Sequence, residues 1–510
     1  MDREYDCIVI GAGNGGLVAA LDLVKRGRKV LVLEKNKKPG GVATSFVRGR
    51  FEFEASLHAL CDYGTEASPG EVYKLFEKLG VLDKMDFVTV PEAFHVYSMN
   101  ENVHYKLPFG IVEFIEQMEE YVHGSYDSLK KFFFLAEECK EALFYIEENK
   151  DYIDANYVKK NFPDFLKVSS HTVDKVLDSL KMPKKAQNIL TTYWSYLGSP
   201  ASKLSFVHYA SMFFSYIAKG AQIPYKKSHQ ISLVLAEEIE KLGGKIKYFS
   251  SVKEILFKDK KIAGVLLHNG EIYEAKHIIS NVSPNSIYGR MLPQPIVPKE
   301  AIQLTNSRIL GARGFSIYLG LNQSAKDLGL DDYSYFIYEN LDSDKEYQNQ
   351  SSIKNSSSVV YVLNNAIPSA SPKGTTIVEF KSLFMGDVFS KSITEKNYFD
   401  MKSKIAENMI DAFERTTGIV IKPYIEEIEI ATPVTYARYG GYPDGVIYGY
   451  KATGMDNLLP RMVGMDHENF IPNLRFCGGF GVKMSGYHAS YLSGDLAARL
   501  TLKDMKGEEE

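Results

Sequence analysis

The chain opens on an alternation of apolar runs and glycine breaks. Cys7 to Ile10 form a short uninterrupted apolar run, the pattern of a strand covered on both faces in a parallel sheet. A glycine-rich turn follows, then an apolar helix from about Gly15 to Arg26 that stops at Gly27. A second apolar strand, "KVLVLE", ends at Glu34. Between about residues 96 and 219 the spacing changes to that of helices. Aromatic residues crowd one face and Lys and Glu the others, in "KKFFFLAEECKEALFYIEEN", "TTYWSYLGSP" and "SFVHYASMFFSYIAKG". Ser228 is placed to cap the next helix, "HQISLVLAEEIEKLG", with Ile231, Val234, Leu235, Ile239 and Leu242 as its buried stripe. Short strands with tight turns are predicted from Gly243 to Pro284. "QNQSSIKNSSSVV" is polar and rich in Ser and Asn, and reads as a mobile surface loop. Near the end come a strand over Leu474–Cys477, a glycine-rich turn, a helix, and a frayed "KDMKGEEE".

Composition narrows the class. At 510 residues the chain exceeds one ordinary domain, and 45% hydrophobic residues suffice for a large core. A net charge of −4 with mixed signs argues against a nucleic-acid binder. Cys7, Cys61, Cys139 and Cys477 are far apart and form no CxxC pair, so free thiols in a reducing compartment are expected, with no metal site. No signal peptide is visible. "DCIVIGAGNGGLVAALDLV" is apolar, but its glycines, Asn14 and flanking charges mark a buried strand, turn and helix and not a membrane span.

The first turn carries the most specific chemistry. Gly11, Gly13 and Gly16 give G-x-G-x-x-G between strand and helix: the first permits the tight turn, the second admits a pyrophosphate, the third lets helix pack on strand. Phosphates would meet the free N–H groups and positive dipole end of that helix. Glu34 closes the second strand about twenty residues on, where a carboxylate accepts both hydroxyls of an adenosine ribose and disfavours a 2′-phosphate. These residues imply a dinucleotide; they do not choose between FAD and NAD.

The stretch "KNKKPGGVATSFVRGRFEFEASLHAL" resembles the second signature of the FAD-dependent amine-oxidase and phytoene-desaturase superfamily, an acid followed by a Gly-Gly pair. "ATPVTYARYGGYPDGVIYGY" is similar to the segment that precedes the final flavin segment in carotenoid isomerases, retinol saturases and bacterial phytoene desaturases. "IPNLRFCGGFGVKMSGYHASYLSGDLAARL" is similar to the family's ending. The resemblance implies FAD, with contacts from Gly11, Gly13, Asn14, Gly15, Gly16, Glu34, Lys35, Gly40, Gly41, Val42, Ala43, Thr44, Val252, Asn281, Gly478, Gly479, Ser485, Gly486, Tyr487 and His488. This chain has Val42 where many members carry an arginine, Lys226 and Lys227 in place of turn glycines, and His488 in place of a proline. His58, His488 and Tyr436 are the catalytic candidates it implies; both histidines are expected to face a cavity beside the flavin ring.

The expected architecture is α/β: a Rossmann-like FAD-binding domain with a parallel sheet (residues 1–95, 220–290 and 455–510), interleaved with an α+β substrate domain of mixed sheet and helices (residues 96–219 and 291–454). The implied activity is hydride exchange between flavin N5 and a hydrophobic polyene, carotenoid, retinoid or long-chain lipid, leading to desaturation, saturation or isomerisation. A flavin amine oxidase, with Lys483 in the region such enzymes use, and a non-catalytic lipid- or pigment-binding flavoprotein are the alternatives. A cytoplasmic location is expected, with peripheral membrane contact as the route to an apolar substrate. The sequence is silent on oligomeric state, on the electron donor or acceptor, and on the direction of the reaction.

Overall fold

The computed structural model describes residues 3–150, 152–454 and 456–509. Two seven-stranded sheets organise it. In the first, Glu4–Ile10 lies parallel between Val30–Leu33 and Ile272–Ser280, and Lys245–Lys247 extends the parallel part beyond Val30–Leu33. Lys261–Leu267 and Val252–Lys258 add an antiparallel flank, and Leu474–Phe476 pairs in parallel with the end of Ile272–Ser280. Val30–Leu33 is buried along its whole length, and only the outer end of Glu4–Ile10 is exposed. That is why this region reads as unbroken apolar runs. The helix Asn14–Lys25 packs on the C-terminal helix Tyr487–Glu509 and on Lys227–Lys241.

The second sheet is mixed, in the order Val103–Leu107, Phe94–Ser98, Ser334–Tyr338, Ser358–Val362, Thr376–Phe384, Arg313–Leu321 and Ile425–Ala431. Only the pairing of Phe94–Ser98 with Ser334–Tyr338 is parallel. Helices Tyr126–Glu148 and Phe206–Lys219 cover this part of the chain, and Phe132, Phe206 and Phe213 interlock at their interface with ring centroids 5.8–6.2 Å apart. The fold is thus α/β, a Rossmann-like sheet joined to a separate mixed sheet with helices.

Several local expectations need correction. Ser228 does not cap the helix that follows it. The helix begins at Lys227, and Ser228 donates through its backbone N–H and its Oγ to the buried Glu54 carboxylate, both at 2.7 Å. In the same helix Ile231, Leu235 and Ile239 are buried, whereas Val234 is only partly covered and Leu242 is exposed. "QNQSSIKNSSSVV" is not a surface loop: it runs from the end of the helix Ser343–Gln350 into the strand Ser358–Val362, and Gln350, Asn355, Ser357 and Ser358 are buried. Tertiary partners, such as Asn355 Nδ2 donating to Ser382 Oγ at 3.2 Å, satisfy polarity that otherwise signals solvent. The cut expected at residues 95/96 falls inside the strand Phe94–Ser98, which belongs to the second sheet.

Candidate active site

The glycine turn builds a cradle that side chains would fill. Gly11 has φ +96°, and a Cβ on Gly13 would lie 2.3 Å from Asn281 Nδ2, on Gly15 2.5 Å from the Gly478 nitrogen, and on Gly16 2.1 Å from the Gly11 oxygen. Backbone segments therefore approach here as no larger residue would permit. Gly40 joins them through a backbone bond to Ala12 O of 2.7 Å and a bridge to Gly13. The helix Asn14–Lys25 starts without a side-chain cap and without an acid in its first turn, so its dipole end is left for an anion. Asn14 Oδ1 is buried without a protein partner. Glu34, buried at the end of its strand, accepts from Ala12 N at 2.8 Å and Asn36 N at 2.7 Å, which fixes its carboxylate beside the turn. These residues fit a dinucleotide.

One cavity, about 1850 Å³ including its open mouth, runs from this cradle into the interior between the two sheets. Gly13, Asn14, Gly15, Gly40, Val42, Asn281, Gly478, Gly479, Ser485, Gly486, Tyr487 and His488 line it, as do His58 and Tyr436. A Cβ on Gly486 (φ +105°) would meet nothing within 4 Å, consistent with its place on the wall. The other sequence-derived residues stand back from the wall. Gly11 and Gly16 shape the turn from beneath, and Glu34 holds it. Gly41 lies against Gly13 and Tyr442. Ala43 and Thr44 bond within their own loop. Lys35 reaches the Arg438 carbonyl at 3.4 Å. Val252 packs in the core beneath the first sheet.

His58 sits at the seam of the two sheets. Glu54 Oε1 accepts from Ser56 N and Leu57 N, each at 3.0 Å, so the acid of "FEFE" sets the loop that carries the histidine. Tyr333 Oη donates to the His58 carbonyl, and Tyr318 Oη (2.5 Å) and Lys381 Nζ (3.1 Å) donate to Ala55 O. The imidazole stacks on Tyr361 at 4.3 Å and 16°, with Tyr196 at 5.5 Å. Burial, with Lys381 nearby, pushes its pKa down to about 3, so it is neutral at physiological pH. Tyr196 and Tyr361 pair their hydroxyls at 2.9 Å, and Tyr193 donates to Tyr216 at 2.6 Å, so these rings satisfy one another. Tyr436 Oη pairs with Ser316 Oγ at 2.8 Å, and burial holds the phenol protonated.

His488 occupies a different corner. Its Nε2 lies 3.2 Å from Glu71 Oε2 and 3.4 Å from Asp62 Oδ2, and Asp62 also accepts from Lys140 Nζ at 3.0 Å. The two carboxylates raise His488 to about 9 despite its burial, while Glu71 is pushed down by the same contact. Ligand atoms of Asp62, Glu71 and His488 lie within 4.8 Å of one another, but Lys140 and protonated His488 already balance the two carboxylates without a metal ion. Lys483 pairs with Glu147 and is thereby engaged.

The sequence did not single out Lys381, Gln350, Ser358 and Tyr442 on the cavity wall. Tyr442 lies with Tyr448, also on the wall, within the quoted motif of residues 431–450; the alternation of strand Thr376–Phe384 was the one available signal for Lys381, which falls opposite Ser316.

A family model described as flavin containing amine oxidoreductase matches residues 15–388. The chain is 25% identical over 494 residues to all-trans-retinol 13,14-reductase of Danio rerio, covering 90% of this chain and 79% of that protein. It is 26% identical over 487 residues to the chloroplastic prolycopene isomerase of Daucus carota, covering 89% and 76%. To 1-hydroxycarotenoid 3,4-desaturase of Flavobacterium sp. it is 23% identical over 514 residues, covering 97% and 98%. Among solved structures, wild-type putrescine oxidase with putrescine bound superposes with a TM-score of 0.63 at 13% identity, covering 99% of this chain and all of that one, a likeness of fold alone. With the glycine cradle and the two-sheet cavity in place, the chain belongs to the flavin-containing amine oxidoreductase family.

Proposed function

We propose that this chain is an FAD-dependent oxidoreductase acting on carbon–carbon double bonds of an apolar polyene, whether by saturation, desaturation or isomerisation. The observation that supports it most is the single cavity that passes from the glycine cradle to a wall of tyrosine rings whose hydroxyls are largely paired among themselves. Such a wall presents flat apolar faces to an extended substrate. The relatives named for retinol, prolycopene and a hydroxycarotenoid support the same class.

When bound, FAD supplies hydride exchange with the substrate. The chain's own residues bind and orient. The helix start at Asn14 takes the pyrophosphate, Glu34 the ribose, and the Gly478–Gly479 and Gly486–His488 segments the flavin end. Tyr196, Tyr448 and Leu57 flank the substrate and exclude water. His488 is the histidine of the cavity that carries a proton at neutral pH, so proton delivery, where the reaction needs it, falls to His488; neutral His58 packs and positions. Phe134, Phe144 and Leu166, exposed on the helical layer, support peripheral contact with a bilayer as the route of substrate uptake, and no described helix is long and apolar enough to span one.

The test is to purify the protein, record its flavin spectrum, identify co-purified lipid by mass spectrometry, and follow all-trans-retinol and carotenoids by chromatography with oxidised and chemically reduced flavin. Conversion of a polyene supports the proposal. Peroxide release on amines without polyene conversion would replace it with amine oxidation, and retained lipid in a protein that takes up no flavin would replace it with a binding role.

A further inference from the structure

Where the cavity meets the glycine turn its wall carries no cation. Gly13, Asn14, Gly15, Gly40 and Val42 line it there, so a pyrophosphate would rely on backbone N–H groups and on the dipole of the helix Asn14–Lys25. The two cations elsewhere on the wall are engaged, Lys381 by Glu379 and Ala55 O, His488 by Asp62 and Glu71. One polar side chain reaches the turn from far along the sequence. A Cβ placed on Gly41 would lie 3.7 Å from Gly13 Cα and 3.7 Å from Tyr442 Oη, which puts that phenol at the cradle. We propose that Tyr442 is a cofactor-binding residue: its hydroxyl donates to the pyrophosphate of FAD, and the strap of residues 438–445 that carries it clamps the ADP half. This rests on the FAD reading above and is independent of the substrate.

The strap is built to hold the ring in place. The helix Pro433–Gly440 ends at Gly441, with φ +72°. Tyr442 folds back over Gly440, where a Cβ would lie 2.2 Å from the ring, so any side chain there would push the phenol off the cradle. On one side the strap is tied to the strand end that carries Glu34. Lys35 Nζ donates to Arg438 O at 3.4 Å, and Asn36 Nδ2 to Tyr439 O at 3.2 Å. On the other side the buried Arg313 grips Asp444 Oδ2, through Nε at 3.0 Å and Nη2 at 2.6 Å. Asp444 takes φ +50°, a left-handed conformation that costs energy outside glycine and is held here by that ion pair.

The chemistry of the phenol suits the role. Tyr442 lines the cavity and is only partly buried, so its hydroxyl is within reach of a ligand. No described residue hydrogen-bonds that hydroxyl, whereas those of Tyr196, Tyr361, Tyr436 and Tyr487 are paired. Desolvation, with Glu34 and Tyr436 nearby, raises the phenol to about 12, so it keeps the proton it would donate. Phosphate oxygens only accept, and a hydrogen bond to a charged acceptor is roughly twice as strong as a neutral one. The ties from Lys35 and Asn36 sit beside the ribose acid Glu34, so the strap must part from that strand end before the ADP half can leave.

The experiment uses the flavin-loaded protein. FAD release is followed as the rise in flavin fluorescence after dilution, and the two pyrophosphate resonances of bound FAD are recorded by phosphorus NMR. Tyr442→Phe keeps the ring and removes only the hydroxyl. It is expected to release FAD about ten-fold faster and to shift at least one phosphate resonance, with the visible flavin spectrum unchanged. Asn36→Ala, which loosens the strap, is expected to release FAD about three-fold faster and to shift the same resonance. Should Tyr442→Phe not fold, Asn36→Ala decides by the same two readouts. Unchanged release, or faster release with both resonances unmoved, overturns the clamp and leaves FAD binding and the polyene reading standing. A wild-type protein that takes up no flavin overturns the FAD reading and the clamp with it.

Discussion

His58 and His488 line one cavity, yet the first sits among tyrosine rings and the second between two carboxylates. The same side chain is therefore neutral on one wall and charged on the other, with values of about 3 and about 9. Neighbours decide the protonation state: burial with Lys381 nearby disfavours the imidazolium of His58, while Asp62 and Glu71 offset the desolvation of His488. Position in a cavity alone does not make a histidine an acid or a base.

The largest expected effect comes from removing the charged member. His488→Leu leaves Asp62 and Glu71 facing each other with only the charges of Lys140 and Lys483 for compensation, and is expected to cost roughly 3 kcal/mol, the lower end for a broken buried pair because the corner is partly open. A denaturant titration at pH 7 measures it. A loss below about 1 kcal/mol would dissolve the contrast between the two walls.

The pH dependence of stability should separate the histidines next. Folded His488 holds its proton up to about 9, against 6.5 in the unfolded chain, so its contribution is complete below pH 6.5 and lost as the pH rises through 9. Folded His58 titrates near 3, so the unfolded chain takes a proton that the folded one refuses. Its contribution is complete above pH 6.5 and lost as the pH falls from there toward 3. Denaturation midpoints from pH 5 to 9 should show a decline above pH 6.5 that His488→Gln removes and His58→Phe leaves in place; above pH 9 the buried thiols Cys7, Cys61, Cys139 and Cys477, raised by burial, add a decline of their own.

Truncating the neutral histidine should matter less. His58→Ala forfeits the stack on Tyr361 and is expected to cost about 1 kcal/mol, whereas His58→Phe keeps a ring there and should restore most of it. If His58→Phe also kept the turnover rate while His488→Gln shifted its pH profile, the division of roles would be sharpened. A comparable effect is expected from Tyr196→Phe, which leaves the buried Tyr361 hydroxyl without its 2.9 Å partner, for about 1 kcal/mol by thermal melting, the low end for a stranded buried hydroxyl.

Legibility in the sequence followed the range of the interaction. Gly11, Gly13 and Gly16 are visible because a local turn demands them within six residues, and Gly40 and Gly486 because their backbones take positive φ where little but glycine is comfortable. The apolar runs of the first sheet announce burial on both faces. The cavity position of His58 could be expected from the strand "FEFE" and the family resemblance, but not its neutrality, which depends on Tyr361 and Lys381. Likewise the charge on His488 comes from Asp62 and from Glu71, the latter 417 residues earlier in the chain. "QNQSSIKNSSSVV" misled for the same reason: its polar groups are buried against Glu346, Ser382 and the cavity, and composition cannot distinguish a polar residue facing water from one facing a partner.

The loop of His58 is tied to the second sheet at several points, through Glu54 N to Glu379 at 3.0 Å, Lys381 and Tyr318 to Ala55 O, and Tyr333 to the His58 carbonyl. On the other side Glu54 grips the start of the helix Lys227–Lys241. A seam stitched from both sides resists opening, so the amides of residues 54–57 are expected to be among the slowest to exchange with deuterium, and a long ligand to thread through the existing mouth.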